Sequence, residues 1–267
     1  MNPPLFRAQA SRQANRHVAA AVARRHLTHA FKNPALLVPS IVFPAVFLVA
    51  FAGGLSSVGT VPGFDFPPGY TAFQFVFVFL QSAAFGGVFT GFGIAADWES
   101  GFARRLLLAA PNRLGLLGGY VVAAAVRWAF SAVLITLGAL AVGMQIDGGA
   151  SDLIGLIGLA LGLNVVACLW GAGIAMRFKT LQAGPLMQMP VFVIIFLAPV
   201  YVPLDLLSGW IHAVASWNPV TAILEAGRGF IAGRPDHGGV AFACAAGMFA
   251  VMAAWAMTGL RRAERGE

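Results

Sequence analysis

Groups able to do chemistry are scarce in this chain, and most gather in one polar stretch, Asp97-Trp98-Glu99-Ser100-Gly101-Phe102-Ala103-Arg104-Arg105, closed by Ala110-Pro111. Asp97 and Glu99 read as the start of a helix, whose positive dipole end favours carboxylates, with Arg104 and Arg105 further along. Pro111 stops that helix, because the residue before a proline is driven out of the α region. Phe102, Leu106 and Ala109 share one face. The expectation is a short amphipathic helix lying parallel to a membrane and large enough to receive a cytosolic partner. A loop whose arginines serve only to orient the chain in a membrane fits the same residues. A second charged pair, Glu225 and Arg228, follows Asn218-Pro219-Val220-Thr221 at a spacing that lets two side chains on one helix meet.

Other constellations fail as sites. His17, His26 and His29 have no carboxylate or cysteine near them in the sequence, so no metal site is expected. Gly173-Ile174-Ala175-Met176-Arg177-Phe178-Lys179-Thr180 has three residues of a phosphate-binding loop, but Phe178 replaces the second glycine and blocks the backbone nest. Leu207-Ser208-Gly209 is part of a nucleotide-binding signature, set in a loop on the opposite side. Cys168 and Cys244 lie in apolar runs as small hydrophobes. The chain is therefore expected to bind no cofactor of its own.

The elements that carry these groups are built for lipid. Of 267 residues, 59% are hydrophobic and 10% charged, against roughly 25% charged in ordinary soluble domains. That balance excludes disorder, a coiled coil and a nucleic-acid-binding module, despite a formal charge of +7. Six apolar stretches are expected to span, at about 35–53, 70–95, 120–143, 153–176, 183–202 and 239–260. They make residues 35–260 an all-α integral membrane domain, preceded by an arm (1–34) and followed by a tail (261–267). Fifteen of the 17 Lys and Arg residues fall in the arm, the loops after spans two and four, the start of span three (Arg127) and the tail, against Arg228 and Arg234 elsewhere. The positive-inside rule makes the crowded side cytoplasmic, with both termini inside. Arg127 is expected to snorkel to the headgroups.

The arm, from Ala8 to Lys32, reads as a basic interfacial amphipathic helix with its stripe at Ala20, Ala23, Leu27 and Phe31, resting on anionic lipid and ended by Asn33-Pro34. The connection from Pro203 to Gly238 is too long and too apolar for a solvated loop. Its periodicity gives two short re-entrant helices broken at Asn218-Pro219. Within the spans, Phe73, Phe77, Gln81, Asn164 and Gln188 could line a greasy, weakly polar path. Hydrogen bonding between helices, with the phenylalanines facing lipid, accounts for the same residues.

This arrangement resembles the permease subunits of ABC-2 type exporters, the group that includes daunorubicin-resistance and polysaccharide-export permeases. The resemblance covers nearly the whole chain and rests on two patterns: Asp97-x-Glu99-x-Gly101 with Arg105-Leu106 and Ala110-Pro111, and Asn218-Pro219-Val220-Thr221 with Glu225 and Arg228. It implies an exporter of a lipophilic drug, lipid-linked or glycan cargo. Two permease chains, as homodimer or heterodimer, would pair with two ATPase subunits that carry ATP and magnesium. Asp97, Glu99, Gly101, Arg104, Arg105 and Pro111 would then belong to the ATPase-coupling helix, and Asn218, Pro219, Glu225 and Arg228 to an outer re-entrant gate. The permease itself would be no enzyme. Abundant Ala, Gly and Arg with only two Lys suits a GC-rich bacterium and hence its plasma membrane. The rival reading is an ion-coupled secondary transporter or a membrane scaffold without ATP coupling. Such a carrier should show ionisable groups at mid-bilayer, and no span here holds a carboxylate.

Overall fold

In a computed structural model, the described residues are 4–32, 34–109 and 113–265. Among them the chain is all helix with no strand. The helices are α1 (Pro4–Lys32), α2 (Pro34–Gly54), α3 (Gly69–Glu99), α4 (Phe102–Ala109), α5 (Arg113–Ala141), α6 (Ala150–Phe178), α7 (Gly184–Phe196), α8 (Gly209–Trp217), α9 (Pro219–Ile231) and α10 (Gly238–Arg265). Four of them, α3, α5, α6 and α10, are long and apolar enough to cross a membrane; the apolar helices at 40–54 and 181–196 are shorter.

Helix α3 is the axis of the fold. It packs against α2 and α5 on one side and α6 on the other, α9 covers its Gly69 end, and α10 lies behind α6. The tightest approach is α3 on α6. A Cβ on Gly87 would strike the backbone of Asn164 and Cys168, and one on Gly91 would lie 2.8 Å from the Gly171 Cα. Asn164 donates from Nδ2 to the Ala83 carbonyl at 2.8 Å across this seam. Small residues let the two backbones meet, the means by which apolar helices associate where no hydrophobic drive exists.

The contacts sort the basic segments to one end. Arg25 of α1, the α3–α4 turn and the α6–α7 turn meet there, and Arg177 reaches Thr258 of α10. At the other end the amides of Asp147 and Gly148 donate to the Ile231 carbonyl, each at 3.0 Å.

Four expectations change. Asp97 and Glu99 do not open a helix; they close α3, which runs past the apolar stretch because Ala95 and Trp98 are still buried against neighbours. A turn at Gly101, with φ +71°, then starts α4. The arm lies lengthwise along the first half of α5, with Gly115 against Asn15, Gly119 against Val22 and Phe31 against Phe130. Its inner face is Val22, Ala23, His26 and Ala30 rather than the expected stripe, and Phe31 is 43% exposed. The phase shifted because His26, counted as polar, turns inward against Tyr120. Arg127 does not snorkel. At the midpoint of α5 it is 5% exposed and donates to the Gly86 carbonyl and to Thr90 Oγ1 of α3. Last, the fifth stretch is helical only from Gly184 to Phe196, 13 residues or about 20 Å, after which the segment to Tyr201 leaves the helix ahead of Pro199.

Gly87→Val should lower the thermal unfolding midpoint of the detergent-solubilised protein, since overpacking of a tight seam costs about 1–3 kcal/mol. Gly118→Ala, where an added Cβ meets nothing, should leave the midpoint unchanged. Equal midpoints for the two variants would show that the α3–α6 approach does not limit stability.

Candidate functional site

The candidate site is the junction at the basic end of α3. Asp97 receives both its oxygens' bonds from one arginine: Arg25 Nη1 lies 2.8 Å from Oδ1 and 2.8 Å from Oδ2. His26 Nε2 is 2.9 Å from Oδ2. Thus two consecutive residues of α1 grip the end of α3. The same Arg25 guanidinium stacks on the Phe102 ring at 3.5 Å, which fixes the first residue of α4. Glu99, one turn-step away and exposed, reaches the other side. Its Oε1 accepts from Thr180 Oγ1 at 2.7 Å and from the Leu181 amide at 2.8 Å, holding the α6–α7 turn. Lys179 lies over the Trp98 ring at 5.4 Å.

The acids, the glycine and the arginines of the stretch 97–105 therefore differ in placement and partners. The acids bind outward from α3 in two directions, to α1 and to the α6–α7 turn. Gly101 supplies the positive φ that a side chain would oppose. Arg104 and Arg105 are exposed on α4, with Arg105 5.9 Å from the Phe102 ring. Between α1 and α4 lies a groove of about 300 Å³ lined by Val18, Val22, Arg25, His26, Phe102 and Leu106. Pro111 and Ala110 lie outside the described residues.

The opposite end of α3 carries a buried lock. Arg228 Nη1 donates to Glu225 Oε1 at 3.0 Å, the pairing expected from their spacing. Yet most of its bonds go elsewhere: Nη1 to the Pro199 carbonyl at 2.8 Å and Nη2 to the Val200 carbonyl at 3.1 Å. Its guanidinium lies 3.4 Å from the Phe73 ring. Gln74 donates to the same Val200 carbonyl at 3.1 Å, and Tyr70 to the Tyr201 carbonyl at 3.2 Å. The non-helical segment after α7 is thus held by three side chains from α3 and α9. Asn218 caps α9 by accepting from the Val220 amide at 3.0 Å, and ties it to α7 by donating to the Ile194 carbonyl at 2.6 Å. Pro219 takes the first position of α9, where no amide donor is missed.

The five path candidates separate. Phe77 and Phe85, one helical turn to either side of Gln81, lie where α3 meets α2 and α7, and Gln188 is half-buried on α7. There Phe77 meets Phe51 and Phe196, and Phe85 meets Phe43 and Phe192. Phe73 instead sits under Phe64, Phe66 and Arg228, and Asn164 serves the α3–α6 seam. Gln81 is fully buried with neither amide atom paired within the chain.

The sequence does not single out Arg25, Thr180 or Tyr70 as site residues; it offers His26 only as a rejected metal ligand and Gln74 only as a polar residue beside Gln81 in the second stretch. The one signal for the arm residues is that Arg25-His26 breaks an apolar stripe at its centre. Among the described residues no group of histidine, cysteine and carboxylate side chains could hold a metal. No protein-family model matches the chain. No curated protein matches it significantly either.

Asp97→Asn removes the charge that fixes Arg25 and His26. It should weaken the attachment of α1 by about 1.5–3 kcal/mol, as for hydrogen bonds to charged groups. In limited proteolysis the arm should then be released faster, while Asp152→Asn, at the far end of α6, leaves cleavage unchanged. Identical cleavage of Asp97→Asn and the parent would contradict the grip.

Proposed function

We propose that the chain is the transmembrane permease of an ABC-2 type exporter, driven by ATPase subunits that dock on its α4 end. The observation that carries this reading is the junction: α4 points two arginines outward while its root is tied through Arg25 to α1 and through Glu99 to the α6–α7 turn. A force applied to so short a helix reaches α1, α3, α6 and α7 together. The residues 97–105 and 218–228 that carry the family resemblance are those that make the two sets of bonds at the ends of α3.

In this reading the six spans are α2, α3, α5, α6, α7 with its non-helical continuation, and α10. Helix α9 is re-entrant: its start at Val220 shares a cavity with Ala84 and Leu163, the midpoints of α3 and α6, while its end at Phe230 meets Gly148 and Gly155 near the start of α6. Both termini are cytoplasmic, in a bacterial plasma membrane. Two such chains pair, as homodimer or heterodimer, with two ATPases, which bind ATP and magnesium.

ATP-driven closure of the ATPases pushes α4, and α3 transmits the movement because its turns are rigid. At the far end Arg228, Tyr70 and Gln74 exchange their carbonyl partners at 199–201, which frees the broken end of α7 and opens the outer gate. Cargo follows the aromatic face shared by α2, α3 and α7, where the Gln81 and Gln188 amides offer hydrogen bonds to a lipophilic or glycan substrate. The chain itself transfers no group and breaks no bond.

Purification of the full chain from its native membranes should bring down an ATPase subunit in stoichiometric amount. Arg104→Glu with Arg105→Glu should weaken that association by roughly 2 kcal/mol or more, as for arginine anchors at interfaces, and abolish cargo-stimulated hydrolysis with helicity unchanged. Export that runs on an ion gradient with no ATPase present would contradict the proposal and favour the secondary carrier.

A further inference from the structure

Beside α6, two cavities share the Trp170 side chain, one between α6, α7 and α10 at the basic end and one reaching inward among α6, α7, α10, Val220 of α9 and Ala84 of α3. The first, about 530 Å³ at the basic end, is lined by Arg177, Arg262, Thr258, Trp170 and Trp255, with Leu186 of α7 at its edge. The second, about 160 Å³, continues from Trp170 toward the middle of the helices and is walled only by apolar and small side chains, among them Val166, Pro190, Ile194 and Met252. Trp170 is the wall common to both: its indole donates to the Met187 carbonyl of α7 at 3.0 Å and stacks on Trp255 of α10.

The polar end is built rather than incidental. Arg177 is held by the Gly173 carbonyl at 2.7 Å, the Trp255 carbonyl at 3.0 Å and Thr258 Oγ1 at 2.6 Å. It lies 3.5 Å from the Trp255 ring, which stacks on Trp170 at 5.6 Å between centroids. Only glycine at 173 and 259 leaves room for the Trp255 ring and the Arg177 guanidinium. All these acceptors are neutral, so they orient the cation without compensating its charge. A second cation, Arg262, faces the same space, and among the described residues no carboxylate lines it.

We propose that this groove is a binding site for one anionic phospholipid of the leaflet at the basic end. Its phosphate sits between Arg177 and Arg262, where guanidinium groups match phosphate oxygens, and its acyl chain runs past Trp170 to Met252. Charge selects the occupant: two unneutralised arginines at a membrane interface favour an anionic headgroup over a zwitterionic one. The tryptophans mark the headgroup level, as such rings do at membrane interfaces. Bound there, the lipid packs against Pro190, Val191 and Ile194 of the short helix α7, on the side away from its phenylalanines. The site requires only that α6 and α10 cross a bilayer, so it stands or falls apart from export.

Native mass spectrometry of the delipidated full chain, titrated with phosphatidylglycerol, phosphatidylcholine or inorganic phosphate, tests it. One phosphatidylglycerol should bind more tightly than phosphatidylcholine. Arg262→Gln, an exposed position whose change should not disturb folding, should weaken it roughly fivefold, the worth of one cation near an anionic lipid. Arg177→Gln should do the same or more. Met252→Trp, which fills the chain groove, should also weaken phosphatidylglycerol binding. Equal binding of the two lipids, no effect of either Arg262→Gln or Met252→Trp, or phosphate binding as tight as the lipid's would each overturn the proposal.

Discussion

A carboxylate at the C-terminal end of a helix meets the negative pole of the helix dipole, which disfavours it by about 0.3–1 kcal/mol. Asp97 occupies such a position, largely buried at the end of α3, and is kept there by Arg25 and His26 from a helix more than seventy residues earlier. The compensation has to come from outside α3, and that need is what binds the arm to the bundle. Glu99, in the same turn, meets the same need through the hydroxyl of Thr180 and the amide of Leu181. The acids are therefore connectors. Their cost on α3 is met by ordering α1 on one side and the α6–α7 turn on the other.

The other end of the same helix follows a related logic with the sign reversed. There the group that needs partners is a cation, Arg228, buried among apolar side chains. One carboxylate, Glu225, and the carbonyls of Pro199 and Val200 receive it. Those carbonyls are available because they lie in the non-helical segment beyond Phe196, where no helical amide returns to them. A broken helix and a buried arginine are each unfavourable alone at membrane depth and satisfy one another when they meet. Arg127 repeats the device at mid-helix, bonding the Gly86 carbonyl and Thr90 rather than a carboxylate. Helix α3 thus links two polar clusters through a stiff, tightly packed shaft.

Much of this was legible from residue types. Four of the apolar stretches appear as long helices, the break at Asn218-Pro219 divides α8 from α9, and the spacing of Glu225 and Arg228 gave their pairing. Gly101, expected inside the coupling helix, instead interrupts it: its φ is +71° and α4 begins only after it. What could not be read was anything that depends on a distant partner. The phase of α1 is hidden in the sequence because His26 counts as surface until Tyr120 and Asp97 are placed beside it. Asp97 and Glu99 looked like the start of a helix because local rules put acids there, and only the burial of Trp98 extends α3 beyond them. Arg127 reads as a snorkelling side chain because it falls near the start of its apolar stretch, and its acceptors are a backbone carbonyl and a hydroxyl that sequence does not advertise. The stripe Trp210, Ile211 and Val214 on α8 was legible as apolar, but the chain covers little of it: Trp210 is 73% and Trp217 91% exposed.

The bonds of Asp97 and Glu99 require that α1, α4 and the α6–α7 turn move as one body with the end of α3. Pulsed electron paramagnetic resonance on the proposed permease–ATPase assembly, with spin-label pairs placed between α1, α4 and residue 182, and between α4 and α9, measures it directly. Between the nucleotide-free and ATP-trapped states the first set of distances should stay constant while the α4–α9 distance changes. Relative movement of α1 and α4 with no change toward α9 would contradict the account.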